Sequence, residues 1–237
     1  MNNDKSEDRS AKWKNIVGQI VLVLLALSVV YAVYMLFTAP SGVADNGYEK
    51  VKSDYVLTLL QCLVGVIVMF IPSVVERKFS VDIPDAMELM YFVFLFCAIY
   101  LGEVRDFYYR VPSWDVILHM FSGAMLGALG FVLVSFFNDS EKVNMHLSPI
   151  FVTLFAFCFA LAAGTVWEIY EFLADGILDT NMQKFITADR TVLVGRDALV
   201  DTMEDLIVDA LSSLVVCVIG FFMLKKQEKK RLVKGSK

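Results

Sequence analysis

The sequence predicts an all-α fold: a polytopic membrane bundle of about six transmembrane helices with both termini cytoplasmic. Three observations predict it. Hydrophobic residues make up 57% of the 237 positions, where a soluble domain has about 45–50%. Six apolar runs approach or exceed the ~20 residues that cross a bilayer. Lysine and arginine are divided unevenly between alternate loops, the pattern expected when positive charge is retained on the inner side.

The first span is expected at 16–37. Its apolar run from Ile16 to Phe37 is longer than the about 7–15 residues of a signal-peptide core, so it reads as a retained helix. The remaining spans are expected at 55–72, 84–104, 115–137, 149–174 and 200–224. The five prolines, Pro40, Pro72, Pro84, Pro112 and Pro149, fall at or near span ends, where a missing N–H does little harm. No span carries a breaker in its middle, and no internal repeat is visible. The chain therefore divides into a cytoplasmic segment 1–15, a transmembrane domain 16–224 and a basic cytoplasmic tail 225–237.

Orientation follows from counting. With both ends inside, the inner segments hold 14 lysines and arginines and the outer ones hold 7. The tail "KKQEKKRLVKGSK" is the strongest contributor, and anionic membrane lipids are the partner its charge suits. It lacks the surroundings of a nucleic-acid-binding module, and the chain has no P-loop or dinucleotide fingerprint. Cys62, Cys97, Cys158 and Cys217 all lie inside apolar runs, which makes them small buried residues, with no disulfide framework. The expected location is a bacterial plasma (inner) membrane, and no oligomeric state is implied.

The polar residues inside the spans carry the functional signal. Span four opens with Asp115 and His119, span five ends with Glu168, Glu171 and Asp175, and span six opens with Asp201, Asp205 and Asp209, followed by Ser212. Residues three or four apart share a helix face, so each set is one stripe. The alternating directions of the spans bring all three stripes to the outer end of the bundle. At 1.5 Å per residue, Glu168 lies about 10 Å below Asp175, and Asp209 about 12 Å below Asp201. Asp175 and Asp201 read as helix ends in water, whereas Glu168, Asp205 and Asp209 lie in the membrane. One acid at mid-helix costs roughly 2.5–3.5 kcal/mol on insertion. Intramembrane ionisable groups accordingly face the bundle interior and mark function.

Several carboxylates in one cavity raise one another's affinity for protons and need compensation. A divalent cation, shared protons or an arginine could supply it. His119, Glu168, Glu171, Asp201 and Asp205 form the candidate metal set. Oxygen ligands suit Mg²⁺, Ca²⁺ or Mn²⁺, and the added imidazole admits Zn²⁺ or Fe²⁺. Arg196, Asp115 and Asp209 are candidates for binding a substrate. Gly123, Gly127, Gly130, Ala160 and Gly164 are small residues at spacings that let membrane helices approach closely. Ser122 follows His119 by three residues, but no nucleophile motif surrounds it.

The stretches "LGEVRDFYYRVPSWDVILHMFSGAMLGALGF", "WEIYEFLAD", "NMQKF" and "GRDALVDTMEDLIVDAL" resemble the uncharacterised bacterial integral-membrane family of the YjdF type. More distantly, the order of acid and His, E-x-x-(E/Q), G-R and spaced acids is similar to the VanZ-like proteins. That second pattern commonly has Gln at Glu171, Asn near Asp209, and Gly near Ser212 and Ser213. The resemblance implies a multi-span bundle and picks out Asp115, His119, Glu168, Glu171, Arg196, Asp201 and Asp205. It implies no established reaction. Three functions stay open: a metal-dependent enzyme acting on a lipid or cell-envelope precursor, a proton- or cation-coupled transporter, and a non-catalytic membrane scaffold.

Overall fold

The computed structural model describes residues 2–41, 50–79, 82–139, 147–187 and 189–235. The predicted inner loop at 138–148, with Lys142, lies largely outside them, as does Lys237. Helices α1 (Asn2–Thr38), α2 (Lys52–Val68), α3 (Ile71–Phe79) and α4 (Asp85–Leu95) are followed by a π-helical continuation of α4 (Phe96–Val104). Then come the single turn α5 (Phe107–Arg110) and the long helices α6 (Trp114–Asp139), α7 (Pro149–Leu178) and α8 (Arg196–Gly235). There is no strand among the described residues, only one isolated antiparallel bridge, Ile186 with Val192. Among the described residues, six helical stretches are long and apolar enough to cross a membrane, the shortest being Asp85–Val104. At 1.5 Å per residue even that stretch reaches about 30 Å, the thickness of a bilayer core.

The terminal helices are longer than the predicted spans. Helix α1 begins at Asn2 and α8 runs to Gly235. No proline or glycine interrupts the charged segments that adjoin these spans, and their Lys, Glu, Arg and Gln residues are good helix formers.

Two spans are irregular where the sequence suggests none. The second pauses after Val68 and resumes at Ile71. Pro72 is the cause: its missing N–H would have bonded the Val68 carbonyl four residues back. The Tyr91 hydroxyl donates to that carbonyl instead, at 2.8 Å. The third span widens into π-helix, and the Arg105 N–H donates to the Tyr100 carbonyl five residues back, at 3.0 Å. Gly102 lies in this segment against the Tyr108 ring, where a Cβ would collide. Glu103 follows it. Such segments are often found at functional positions.

The chain forms two compact units. One comprises the residues up to Leu118 together with Glu171–Asp201; the other comprises His119–Tyr170 and the residues from Thr202. In the first unit, Val21, Leu25, Cys62, Met69, Leu95 and Ile99 form an apolar core. Gly65 admits the close approach of Leu25 and Ile99. Lys14 ties α1 to α4 through Asp85 at 2.6 Å and Glu88 at 2.5 Å.

The second unit packs segments of α6, α7 and α8 through small residues. A Cβ on Gly130 would lie 2.6 Å from the Ala156 Cα, and one on Gly127 would lie 3.4 Å from the Ser213 Cα. The close approach expected of the glycines in "SGAMLGALG" is present. Large apolar side chains such as Val166, Ile207 and Phe222 are exposed along these helices, as a lipid-facing surface requires.

Candidate functional site

The second unit gathers four of the predicted residues. His119 comes from α6, Glu168 from α7, and Asp205 and Asp209 from α8; Ser122 of α6 lies beside them. His119, Glu168, Asp205 and Asp209 are only 6, 4, 2 and 2% exposed. His119 Nε2 lies 3.7 Å from Glu168 Oε1 and 3.8 Å from Asp205 Oδ2. Its other ring nitrogen, Nδ1, lies 3.4 Å from Asp209 Oδ2. The Ser122 hydroxyl is 3.2 Å from Asp209 Oδ1 and 3.0 Å from the His119 carbonyl.

Two glycines make room for this arrangement. A Cβ on Gly164 of α7 would collide with the Asp209 carboxylate, and one on Gly123 of α6 would lie 2.8 Å from the Asp209 carbonyl oxygen. The predicted role of these small residues, bringing His119 near Glu168, is met by the observed packing.

Charge makes the site unusual. The helical segments 119–139, 149–170 and 202–224 contain no lysine or arginine. Within these segments, three buried acids gather on one imidazole, that of His119. One donor atom each from His119, Glu168 and Asp205 lie within 4.8 Å of one another. A cation held there would have one imidazole and two carboxylate ligands.

The remaining predicted residues belong to the first unit. Glu171 is buried, Asp115 and Asp201 are partly buried, and Arg196 is exposed at the start of α8, after Gly195 in a left-handed turn. Asp175 corrects the reading of it as a helix end in water. It is 8% exposed and accepts from the Thr180 hydroxyl at 2.7 Å, the Met182 N–H at 2.7 Å and the Gln183 N–H at 2.9 Å. A carboxylate at this place orders the loop that follows α7, because an ionised acid can accept several such bonds.

Sequence reasoning missed the cations that hold this loop. Lys184 Nζ lies 3.8 Å from Glu103 Oε1, 4.1 Å from the centre of the Tyr108 ring and 3.1 Å from the Met182 carbonyl. Arg190 reaches Asp54 at 2.7 Å. Both residues have positive φ, 53° and 65°, which non-glycine residues enter only at a cost. The two ion pairs help to offset it. Burial disfavours the Lys184 ammonium, but Glu103, Asp115, Tyr109 and Glu171 outweigh it, so its proton is held more tightly than usual. Burial pushes the Tyr109 hydroxyl up, and its oxygen accepts from the Asn181 amide at 2.9 Å. In sequence, the only signal was a lone lysine in "NMQKF".

Comparison with known proteins agrees with the membrane reading. The family described as "Predicted membrane protein (DUF2238)" matches residues 19–226. An uncharacterised protein of Thermotoga maritima is 31% identical over 155 residues, which cover 64% of this chain and 70% of the relative. No solved structure matches. The YjdF-type resemblance is consistent with this family.

Proposed function

The chain belongs to the DUF2238 family of predicted membrane proteins, and we propose that it holds a divalent cation between His119, Glu168 and Asp205. One observation carries the reading. The Nε2-to-oxygen distances of 3.7 and 3.8 Å are longer than a hydrogen bond of about 2.7–3.2 Å. They approach the spacing of two ligands on one ion, about 3.3–3.4 Å on tetrahedral Zn²⁺ and about 3.3–3.7 Å between neighbouring ligands on a larger ion such as Ca²⁺. The donor set, one imidazole and two carboxylates without thiolate, suits Mg²⁺, Mn²⁺, Ca²⁺ or Zn²⁺. An ion would also balance several carboxylates gathered on one imidazole.

The activity this supports best is a metal-dependent enzyme of the plasma membrane acting on a lipid or cell-envelope precursor. Such an ion would polarise a phosphoryl or carbonyl oxygen and activate water beside it. Both termini are cytoplasmic in this reading, by the excess of inner lysine and arginine, and the site faces the outer side. Arg196 and Asp115 are assigned to the substrate, with Arg196 pairing an anionic group. Glu171 and Asp201 remain candidates for further ligands on the same helices. The near-complete burial of the four groups favours a second reading, a proton- or cation-coupled transporter in which the carboxylates form a relay.

Full-length protein purified without chelator should carry about one divalent ion per chain by elemental mass spectrometry. Glu168→Gln and Asp205→Asn should each weaken Mn²⁺ binding at least about 100-fold, beyond the 10–100-fold typical of losing an outer-shell partner. A wild type free of divalent metal that also fails to bind Mn²⁺ would sink the metal reading. Proton-coupled flux in liposomes, abolished by the same variants, would establish the transporter instead.

A further inference from the structure

Asp209 is the third buried acid around His119, and it faces the opposite ring nitrogen from the other two. We infer that Asp209 is a positioning residue that holds the His119 proton on Nδ1 and turns the Nε2 lone pair towards Glu168 and Asp205. This inference rests on the cation site proposed above.

The geometry supports it in three ways. First, a carboxylate oxygen accepts; with Nε2 turned to the proposed cation, the ring hydrogen falls on Nδ1, the nitrogen that Asp209 Oδ2 faces. Of the three ring-to-acid distances, the one to Asp209 is the shortest, at 3.4 Å against 3.7 and 3.8 Å. Second, Asp209 meets α6 at two points one turn apart. Oδ2 faces His119 Nδ1, and Oδ1 lies 3.2 Å from the Ser122 hydroxyl, which can donate to it. Contacts at both oxygens limit rotation of the carboxylate away from the ring. Third, two helices give up a side chain to admit it. A Cβ on Gly164 would strike the Asp209 carboxylate, and one on Gly123 would crowd the Asp209 backbone. Packing alone needs small residues, but these two converge on one acid from separate helices.

The consequence is chemical. Histidines that bind metals commonly donate their second N–H to a carboxylate, which fixes the tautomer and makes the ligating nitrogen a better donor. Asp209, which the sequence suggests as a substrate contact, is thereby reassigned. It shapes the ligand rather than touching the substrate.

The chain has two histidines, His119 and His146, so the His146→Asn protein contains a single imidazole. In that full-length protein, labelled with ¹⁵N-histidine, the ring nitrogen shifts of neutral His119 should show the proton on Nδ1, with and without Mg²⁺. Asp209→Asn should give a mixture of tautomers and weaken Mn²⁺ binding about 10–100-fold. Ser122→Ala should weaken it about two- to tenfold, the worth of one hydrogen bond, and serves as the test if Asp209→Asn fails to fold. A proton on Nε2 in the parent, or an unchanged tautomer in Asp209→Asn, would overturn the inference. If the tautomer results hold while no divalent ion binds, the positioning role stands and the metal reading falls. If metal binds through Nδ1, the reverse is true.

Discussion

The two units neutralise their acids in different ways. In the first, three acids near the loops each have a cation of the same unit beside them. Lys50 meets Asp106 at 2.5 Å, Lys184 meets Glu103 and Arg190 meets Asp54. In the second, Glu168, Asp205 and Asp209 surround one histidine, within helical segments 119–139, 149–170 and 202–224 that hold no lysine or arginine. A side-chain cation is permanent and makes a fixed structural joint. A site whose acids gather on one histidine can take charge from a proton or an ion, and so can change state. The contrast separates a scaffold from a centre.

The largest effect should come from removing the proposed cation. A ligand present at about 1,000 times its dissociation constant stabilises the folded state by about 4 kcal/mol. Chelation should therefore lower the thermal stability of wild type and leave Glu168→Gln unmoved. An equal response in both would break the comparison.

Next in size is Lys184→Met. Breaking a buried ion pair costs about 3–5 kcal/mol, because the abandoned charge stays buried. Glu103 and Lys184 are 11 and 16% exposed, so a loss near the lower bound is expected, with much of it recovered in the double variant with Glu103→Gln. The pH dependence has a definite sign. The Lys184 proton is bound more tightly in the folded state. Its contribution is therefore fully present below the unfolded value of about 10.4 and declines only as pH rises through the higher folded value. Stability differences between wild type and Lys184→Met should stay flat from pH 6 to about 9.

The sequence revealed a great deal of the second unit and less of the first. His119, Glu168, Asp205 and Asp209 sit in apolar helices, where each charge contrasts with its neighbours and helical spacing fixes its face. Six spans were legible for the same reason. Lys184, Arg190 and Asp175 act through a loop whose path depends on left-handed turns at Asp179, Lys184 and Arg190, and no periodicity encodes such turns. Asp175 looked like a solvated helix end because sequence shows its place on a helix but not the loop that folds back over it. The break at Pro72 was hidden by its position near a span end. The hydroxyl of Tyr91, which makes the break tolerable, lies on another helix.

Two glycines of α7 sharpen the contrast at smaller amplitude. Gly164→Ala places a methyl group against the Asp209 carboxylate, whereas Gly176 has nothing within 4 Å of its would-be Cβ. Overpacking costs about 1–3 kcal/mol, so Gly164→Ala should lower stability and weaken Mn²⁺ binding together. The same change at Gly176 should stabilise by up to about 1 kcal/mol through helix propensity. Unfolding measurements on both proteins would check the opposite signs. A neutral Gly164→Ala would mean that the carboxylate is free to move, and that α7 does not hold it.

The smallest effect is expected at Arg190. Its guanidinium reaches both oxygens of Asp54, at 2.7 and 3.4 Å, and Oδ2 also accepts the Val51 N–H at 2.9 Å at the start of α2. Lysine offers a point charge and cannot reproduce the two-pronged contact. Arg190→Lys should nevertheless cost at most about 1 kcal/mol, because both side chains are about a quarter exposed and such pairs are worth little in water. Hydrogen exchange should quicken around 186–192, where the loop closes on itself. The difference from wild type should shrink in 1 M salt, where screening acts over about 3 Å. The deficit of Lys184→Met should persist there, since its carboxylate is buried. If the two deficits fade together, Lys184 is only a surface tether, and the first unit holds its acids far more loosely than the packing around Glu103 implies.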